Sequence, residues 1–536
     1  MTPIQKAVAA ALAASIASGA AHAIDISLYA SENAAGRVTN VYVSGSTAVN
    51  IALMYSALGK PTAAGLTALC STTQGQADLY SDNGIAAAGA SNPHAQWMVY
   101  CYANPALHLT GTATEIALFK ESTLGSQNGS IPLYTNAMNG SGSNYLAFIN
   151  PAAGATGCTT GVVPTGMQSA LVTHQNCSFT TFVPAVNITG GVSDVEAPLV
   201  GANPTDVANY LQGAPGLQVV WALPVNNTFY RALQVAQGIS GNGASGVPSL
   251  SKAQVSGIFA RTLKDGSQFV SAANTSIAFP DATETLMAIC RREFGSGTEA
   301  SAEVFWLTEG CGSGGANASN LTMPSEDTSN IIEETSTGNI KGCLTAFDGS
   351  GSVTDYLGHS YATNGPRPAI GIISSENPPA TFALGPTTPT ATLGGMGVIA
   401  VDGALPTLEN AANGFYPFFS EDVLYNISPT VDSGALYSGN PALVWNQVKA
   451  NIGTPDFLAD GDSGYNNYFG QSGDLSPPSI YASSSPPHIP ATAATVSTSP
   501  VGAFTKSDTA SGSPNNCDPA AVYFGLSTPT FQWRNQ

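Results

Sequence analysis

The sequence predicts a mixed α/β protein, because two kinds of segment alternate between about residues 26 and 375. Short β-branched or aromatic runs of the kind found in strands are VTNVYVSGS, TEIALFK, LQVVWALPV and PAIGIIS. Between them lie segments compatible with helices, among them SKAQVSGIFARTL and ATETLMAIC. Strand-like runs that alternate with helix-like segments are typical of α/β architecture.

The first 23 residues predict a cleaved secretory signal peptide. They contain a basic Lys6, an Ala-rich apolar stretch and the small-residue triplet Ala21-His22-Ala23, which are features of export signals. We therefore expect the mature chain to start at Ile24 and the protein to be periplasmic or extracellular. No later stretch approaches about 18 uninterrupted apolar residues, so we expect no membrane insertion.

The cysteines predict disulfides. The chain has eight of them, an even number in a chain expected to be exported, and none forms a C-x-x-C pair of the kind that binds metals. Sequence does not determine connectivity, but short local bridges such as Cys70 to Cys101 and Cys158 to Cys177 are favoured.

The charge of the chain excludes some partners. With 15 basic and 34 acidic residues, the formal net charge is −19 at pH 7. Such an acidic chain is not expected to bind nucleic acid or an anionic membrane surface.

Three regions depart from the alternating pattern. Residues 60–110 and 128–187 are rich in Gly, Asn, Pro and Thr, and each contains one of the favoured cysteine pairs, so we interpret them as disulfide-stapled insertions. Residues 451–536 form a C-terminal extension, in which 476–516 is a low-complexity segment of Pro, Ser, Thr and Ala. Because such a composition buries little apolar surface, this segment is expected to be an extended surface arm or linker, whose end Cys517 and the terminal AVYFGLSTPTFQW could attach to the body of the protein.

Four loops carry Ser or Thr hydroxyls where a strand-like run ends. They are VSGSTA at 44–48 and its flank, LGSQNG at 124–129, GVSDVEAPL at 191–199 and RREFGSGT at 291–298. Each loop alone is more often a plain turn than a site. Together they offer many neutral donors and, in Arg292, one bidentate cation, which is what an oxyanion pocket needs.

The order of these motifs resembles that of the phosphate-binding, substrate-binding proteins of bacterial ABC importers, including the secreted DING-type relatives. Three further segments carry the resemblance: LSKAQVSGIFARTLKDG at 250–266, AIGIIS at 369–374 and VDGALPTLENAANGFYPF at 401–418. The last is the most specific, because the family has a similar run late in the chain. One departure is Phe294, which stands where family members commonly have Asp.

The resemblance implies a two-lobed type 2 periplasmic-binding fold. Lobe one would comprise 26–227 plus 395–450, and lobe two 228–394. It also implies a ligand-binding set drawn from all four loops: Thr47, Ala48, Ser126, Ser193, Asp194, Arg292, Ser296, Gly297 and Thr298. In that set Asp194 would accept a proton from phosphate, which sulfate does not carry.

The function expected from these observations is binding of phosphate or a related oxyanion in an interlobe cleft. We expect no catalysis and no cofactor, and an ABC importer membrane component is the expected partner. The alternative is an extracellular structural or adhesive protein that keeps the fold without the ligand. The stapled insertions, the C-terminal arm and Phe294 are the features that favour this alternative.

Overall fold

A computed structural model describes most of the chain. The described residues are 26–59, 66–72, 77–82, 96–123, 125–139, 146–163, 167, 172–239, 246–279, 284–307, 311, 330–375, 396–432, 437–462, 473–477, 500–502, 504–506, 514–518 and 520–522. The predicted signal peptide at 1–23 lies outside them. Among the described helices, none is long and apolar enough to cross a membrane.

The strands alternate with helices, so the mixed α/β prediction is confirmed. In chain order the strands are β1 (Val38–Gly45), β2 (Ala77–Asp82), β3 (Gln96–Tyr102), β4 (Glu115–Glu121), β5 (Leu146–Ile149), β6 (Ala155–Thr160), β7 (Val172–Phe179), β8 (Phe182–Val186), β9 (Gly190–Ser193), β10 (Leu211–Ala222), β11 (Pro224–Asn226), β12 (Ser249–Leu250), β13 (Ala288–Arg292), β14 (Ile331–Glu334), β15 (Ser350–Thr354), β16 (Ser360–Asn364), β17 (Ala369–Gly371), β18 (Ile373–Ser374), β19 (Met396–Val398), β20 (Ala400–Val401), β21 (Phe419–Ile427), β22 (Asp474–Leu475), β23 (Phe504–Thr505) and β24 (Ala521–Val522).

The α-helices, apart from 3₁₀ and π turns, range from single turns to about four turns. They are Tyr29–Ala34, Asn50–Leu58, Ile131–Asn139, Pro151–Gly154, Pro204–Tyr210, Asn227–Ala236, Lys252–Phe259, Thr275–Ala278, Gly297–Ala302, Thr337–Ala346, Leu408–Ala412, Pro429–Asp432, Gly439–Asn451 and Pro455–Asp462. Asn50–Leu58 follows β1 and is buried over most of its length, because it is apolar on nearly every face.

Two sheets organise the described chain. The larger has the strand order β18-β10-β21-β9-β1-β4-β3-β2-β7-β6, with β22 on β10, and the smaller has the order β14-β13-β17-β11-β19. At the centre of the larger sheet β1 pairs in parallel with both β4 and β9. In the smaller sheet β13 pairs in parallel with β14 and β17. The carboxyl ends of parallel strands are where α/β sheets usually bind ligands.

Strands from both predicted insertions extend the larger sheet, whereas β5 and β8 of the second insertion pair with each other in a separate two-stranded sheet. β3 pairs antiparallel with β4, and β2, β7 and β6 continue outward from it. The physical reason is that an edge strand offers a row of unpaired backbone groups on which further strands can form.

The chain passes between the sheets at different residues from those predicted. Both β11 and β19 lie in the smaller sheet, although the predicted boundaries of 227 and 395 assigned them to lobe one. Only one residue, Leu223, separates β10 from β11, so no loop composition marks the passage.

The disulfides agree with the predicted local pairs. Cys70 is bonded to Cys101 and Cys158 to Cys177, as favoured from sequence. Two longer bridges join Cys290 to Cys343 and Cys311 to Cys517, and no cysteine is free.

The prediction that residues 476–516 form an exposed arm is wrong for the described part of that segment. Val501 and Phe504 are buried, and Phe504 joins the main hydrophobic core. Lys506 is also buried, and its Nζ donates a hydrogen bond to the Phe419 carbonyl at 2.6 Å. A few anchoring residues suffice to hold a segment whose average composition is polar, and composition alone does not reveal them.

Candidate functional site

The first loop of the site begins where β1 ends. Gly45 has φ +113°, and a Cβ there would lie 1.9 Å from the Val192 carbonyl oxygen, so only glycine fits this close crossing of β1 and β9. The next backbone N–H, that of Ser46, donates to the same carbonyl at 2.9 Å. The chain is therefore turned so that the Ser46 side chain faces the end of β9.

A buried carboxylate, Asp194, lies at the centre of the site, directly after β9. One of its oxygens accepts a hydrogen bond from Ser46 Oγ, and the other accepts one from Ser126 Oγ at 2.9 Å. The Asp194 N–H in turn donates to Ser126 Oγ at 3.0 Å. Three loops that are far apart in sequence therefore meet at one carboxylate.

Burial raises the pKa of the Asp194 carboxyl above its ordinary value. The hydrogen bonds from Ser46 and Ser126, and the nearby charges of Arg292 and Lys120, oppose that rise. Each oxygen of a carboxylate has two acceptor sites, so Asp194 can accept a further hydrogen bond from a protonated ligand oxygen.

Two of the expected ligand donors are committed to the protein in this structure. Ser126 Oγ, expected to donate to the ligand, donates to Asp194, and the Ala48 N–H donates to Ser46 Oγ at 3.0 Å. In this arrangement the buried carboxylate uses the nearest hydroxyls to satisfy its own acceptor sites. Their role in the arrangement seen here is to hold Asp194 in place.

The cation of the site is Arg292, the last residue of β13. Its Nε and Nη2 donate to the two Glu293 carboxylate oxygens at 3.1 Å each, and also to the backbone carbonyls of Glu334 at 3.2 Å and Thr335 at 2.9 Å. Nη1 makes no hydrogen bond to any described residue. Nε and Nη2 are therefore held by the protein, and Nη1 is a donor that can bind an anion.

The sequence interpretation missed Glu293. Family members commonly have Asp at the position of Phe294, but in this chain the preceding residue supplies the carboxylate that orients Arg292. Phe294 itself is half-exposed, and its ring lies against Gly201. The sequence signal for this ion pair was the Glu that directly follows Arg292 in the triplet Arg-Arg-Glu. The contact itself depends on the turn after β13, which places the Glu293 carboxylate beside the guanidinium.

The loop after β13 contacts the loops of the larger sheet. A Cβ on Gly297 would lie 2.2 Å from Ser126 Oγ and 2.4 Å from Asp194 Oδ2, so glycine allows the close approach. The Gln127 N–H also donates to the Gly295 carbonyl at 2.9 Å. The loops that follow strands of the two sheets are therefore in contact at the site.

The remaining expected residues flank these contacts. Ser296 is the N-cap of the helix Gly297–Ala302 but makes no side-chain capping bond, and its Cα lies 3.6 Å from where a Cβ on Gly125 would be. Thr47 follows Ser46, Thr298 follows Gly297 and Ser193 precedes Asp194. Within the described part of the chain, no hydrogen bond to the hydroxyls of Thr47, Ser193, Ser296 or Thr298 is found.

The C-terminal segment ties the two sides of the site together. Cys517 is disulfide-bonded to Cys311, which follows the helix that starts at Gly297. The preceding residue, Asn516, donates its backbone N–H to Glu196 Oε1 at 2.5 Å and its amide to Glu196 Oε2 and the Glu421 carbonyl at 3.0 Å each. We call residues 514–518, with this disulfide, the C-terminal clasp.

A separate cleft of about 1170 Å³ lies over β2, β3, β4 and β7. Its lining includes three carboxylates, Glu32, Asp78 and Glu115, and one arginine, Arg37, which is paired with Glu32. This excess of carboxylates disfavours anions in the cleft.

No family model and no curated protein matches the chain. Among solved structures, a Clostridium perfringens protein assigned as a phosphate ABC transporter substrate-binding protein, with bound phosphate, is similar at 13% identity and TM-score 0.35, covering 78% of this chain and 97% of its own.

Two further solved structures are similar over a smaller part of the chain. An ABC-type phosphate transport receptor from Vibrio cholerae has 14% identity and TM-score 0.25, covering 46% of this chain and 70% of its own. PstS from Borrelia burgdorferi has 9% identity and TM-score 0.23, covering 48% and 75%. At TM-scores this low, the similarity assigns neither a fold nor a ligand to this chain.

Proposed function

We propose that this chain is an exported solute-binding protein that holds phosphate, or a related tetrahedral oxyanion, between its two sheets and does not transform it. In this proposal the chain has the two-lobed type 2 periplasmic-binding arrangement and delivers its ligand to an ABC importer membrane component. The single observation that carries the proposal is that Asp194 and Arg292 are both buried and interact through their charges, while Nη1 of Arg292 makes no hydrogen bond to any described residue.

The charges around the pair favour a protonated anion. Arg292 supplies a cation, but Glu293 already offsets it, so the pocket is not strongly positive. The carboxylate of Asp194 can accept a proton from HPO₄²⁻ or H₂PO₄⁻, whereas fully deprotonated sulfate would face it with no proton to donate. Neutral hydroxyls and backbone N–H groups are then the remaining donors for the ligand oxygens.

Closure of the site against solvent supports tight binding. Asp194, Arg292, Ser296 and Thr298 are all buried. Because hydrogen bonds and charge interactions strengthen where water is excluded, a few fixed donors can hold an anion in such a pocket.

The test is calorimetric titration of the mature protein with phosphate, arsenate and sulfate. We expect phosphate and arsenate to bind, and sulfate to bind at least about a hundredfold more weakly, which corresponds to about 2.7 kcal/mol. Asp194→Asn should narrow this difference by improving sulfate binding relative to phosphate. Lys264→Ala, which removes an exposed cation, is the matched control and should leave all three affinities unchanged. Absence of heat with every anion would refute the proposal.

A specific observation also favours the alternative of a structural or adhesive protein without a ligand. The Ser126 hydroxyl and the Ala48 N–H are satisfied internally, and Gly297 lies directly against Asp194. A site that has lost its ligand would be closed in this way. The same titration separates the two functions, because the alternative predicts no binding of any oxyanion and no effect of Asp194→Asn.

A further inference from the structure

A buried lysine lies behind the first loop of the site. Lys120, the penultimate residue of β4, has no exposed surface. Its Nζ donates to the Gly45 carbonyl at 2.8 Å, to Ser122 Oγ at 2.7 Å and to the Glu121 carbonyl at 3.1 Å. These three bonds use the three protons of an ammonium group, so Lys120 has no donor left for a ligand.

The strand register explains why Lys120 reaches the site. β4 pairs in parallel with β1, and Lys120 lies opposite Val43, two residues before Gly45. The ammonium therefore binds the carbonyl of the glycine at which the first loop turns. Fixing that carbonyl also fixes the peptide that follows it, and thereby the position of Ser46 and Thr47.

We propose that Lys120 is a positioning residue and second cation of the oxyanion site, which strengthens anion binding from behind the first loop and makes the affinity depend on pH. This inference rests on the proposed function. Lys120 acts through the Gly45 carbonyl and through its charge, and makes no contact with the anion.

The charges of two carboxylates act on Lys120 and contribute to the effect. Glu121 is its neighbour in β4, and Glu121 Oε2 is buried with no hydrogen-bond partner among the described residues. Asp194 interacts with Lys120 from the end of β9. Burial lowers the pKa of Lys120 to about 7, and the charges of Glu121 and Asp194 oppose that decrease.

The direction of the pH effect follows from this. Lys120 carries its charge below about pH 7 and loses it as the pH rises. A bound anion favours the charged form, so binding raises the pKa, by about one unit if the charge contributes a tenfold gain in affinity. The gain is then present in full below about pH 7 and lost above about pH 8.

The experiment compares wild type with Lys120→Met, a neutral side chain of similar length, by phosphate titration at several pH values. The ratio of the two dissociation constants cancels the ionisation of phosphate itself. We expect the variant to bind about tenfold more weakly at about pH 6 and almost equally at about pH 9. Lys264→Ala serves as the control, with a ratio near one throughout.

A second variant keeps the inference testable if Lys120→Met does not fold. Ser122→Ala removes one acceptor of the ammonium and should lower the Lys120 pKa. Its phosphate affinity should be within about twofold of wild type at about pH 6 and about two- to threefold weaker at about pH 7.5. A ratio that is constant with pH for the variant that folds overturns the role of Lys120. If wild type binds no phosphate at any pH, the proposed function itself is overturned.

Discussion

Removal of the Arg292 side chain should strongly weaken oxyanion binding. In Arg292→Ala the ligand would lose a guanidinium whose Nη1 makes no hydrogen bond in the described part of the chain. The change has a second consequence, because Glu293 is also buried and its carboxylate has Arg292 as ion-pair partner at 3.1 Å. The variant therefore leaves a buried negative charge beside an anion site.

The magnitude follows from these two effects. Truncating one partner of a buried, hydrogen-bonded charge pair typically costs 2 to 5 kcal/mol of binding free energy, roughly 30- to 5000-fold in affinity. The uncompensated Glu293 places Arg292→Ala in the upper part of this range, at about 3 to 5 kcal/mol. Replacing Glu293 by Gln in the same chain should recover about 1 to 2 kcal/mol, because it removes the orphaned charge.

The assay is phosphate titration of wild type, Arg292→Ala, Glu293→Gln and the double variant. Unfolding by urea is measured on each protein, so that loss of binding is not confused with loss of structure. Arg292→Ala with wild-type affinity would refute the placement of the ligand beside this guanidinium. Equal affinities for Arg292→Ala and the double variant would refute the argument about Glu293.

Two further predictions concern the first loop and the C-terminal clasp. Thr47→Val should weaken phosphate binding by about 1 to 3 kcal/mol, because it removes one hydroxyl that has no hydrogen-bond partner among the described residues and leaves the backbone donors in place. An unchanged calorimetric affinity would exclude Thr47 from the pocket. Replacing both Cys311 and Cys517 by Ser should raise the phosphate dissociation rate at least about tenfold, since the clasp joins the two sides of the site that must separate to release the ligand. Stopped-flow measurement of ligand release tests this, with the Cys158→Ser and Cys177→Ser double variant as the control, and equal release rates from the two variants would contradict it.

The sequence by itself determined the features that depend on local pattern. Alternation of strand-like and helix-like runs predicted the α/β class, and an even cysteine set with short spacings predicted the bridges Cys70–Cys101 and Cys158–Cys177. The loops around Ser126, Asp194 and Gly297 were also identified from short motifs. Each of these features depends on residues within a few tens of positions of one another. Over that range, secondary-structure preference and proximity along the chain determine the local structure.

Only the tertiary structure decided what each polar group is bonded to. Ser46 and Ser126 satisfy Asp194, although the two serines lie 148 and 68 residues away from it. Glu293 orients Arg292 because the chain turns after β13, and Lys120 reaches the Gly45 carbonyl through the pairing of β4 with β1. The choice of partner for a buried charge depends on which groups are within hydrogen-bond distance once water is excluded, and that distance is set by the packing of the whole chain rather than by any local run of residues.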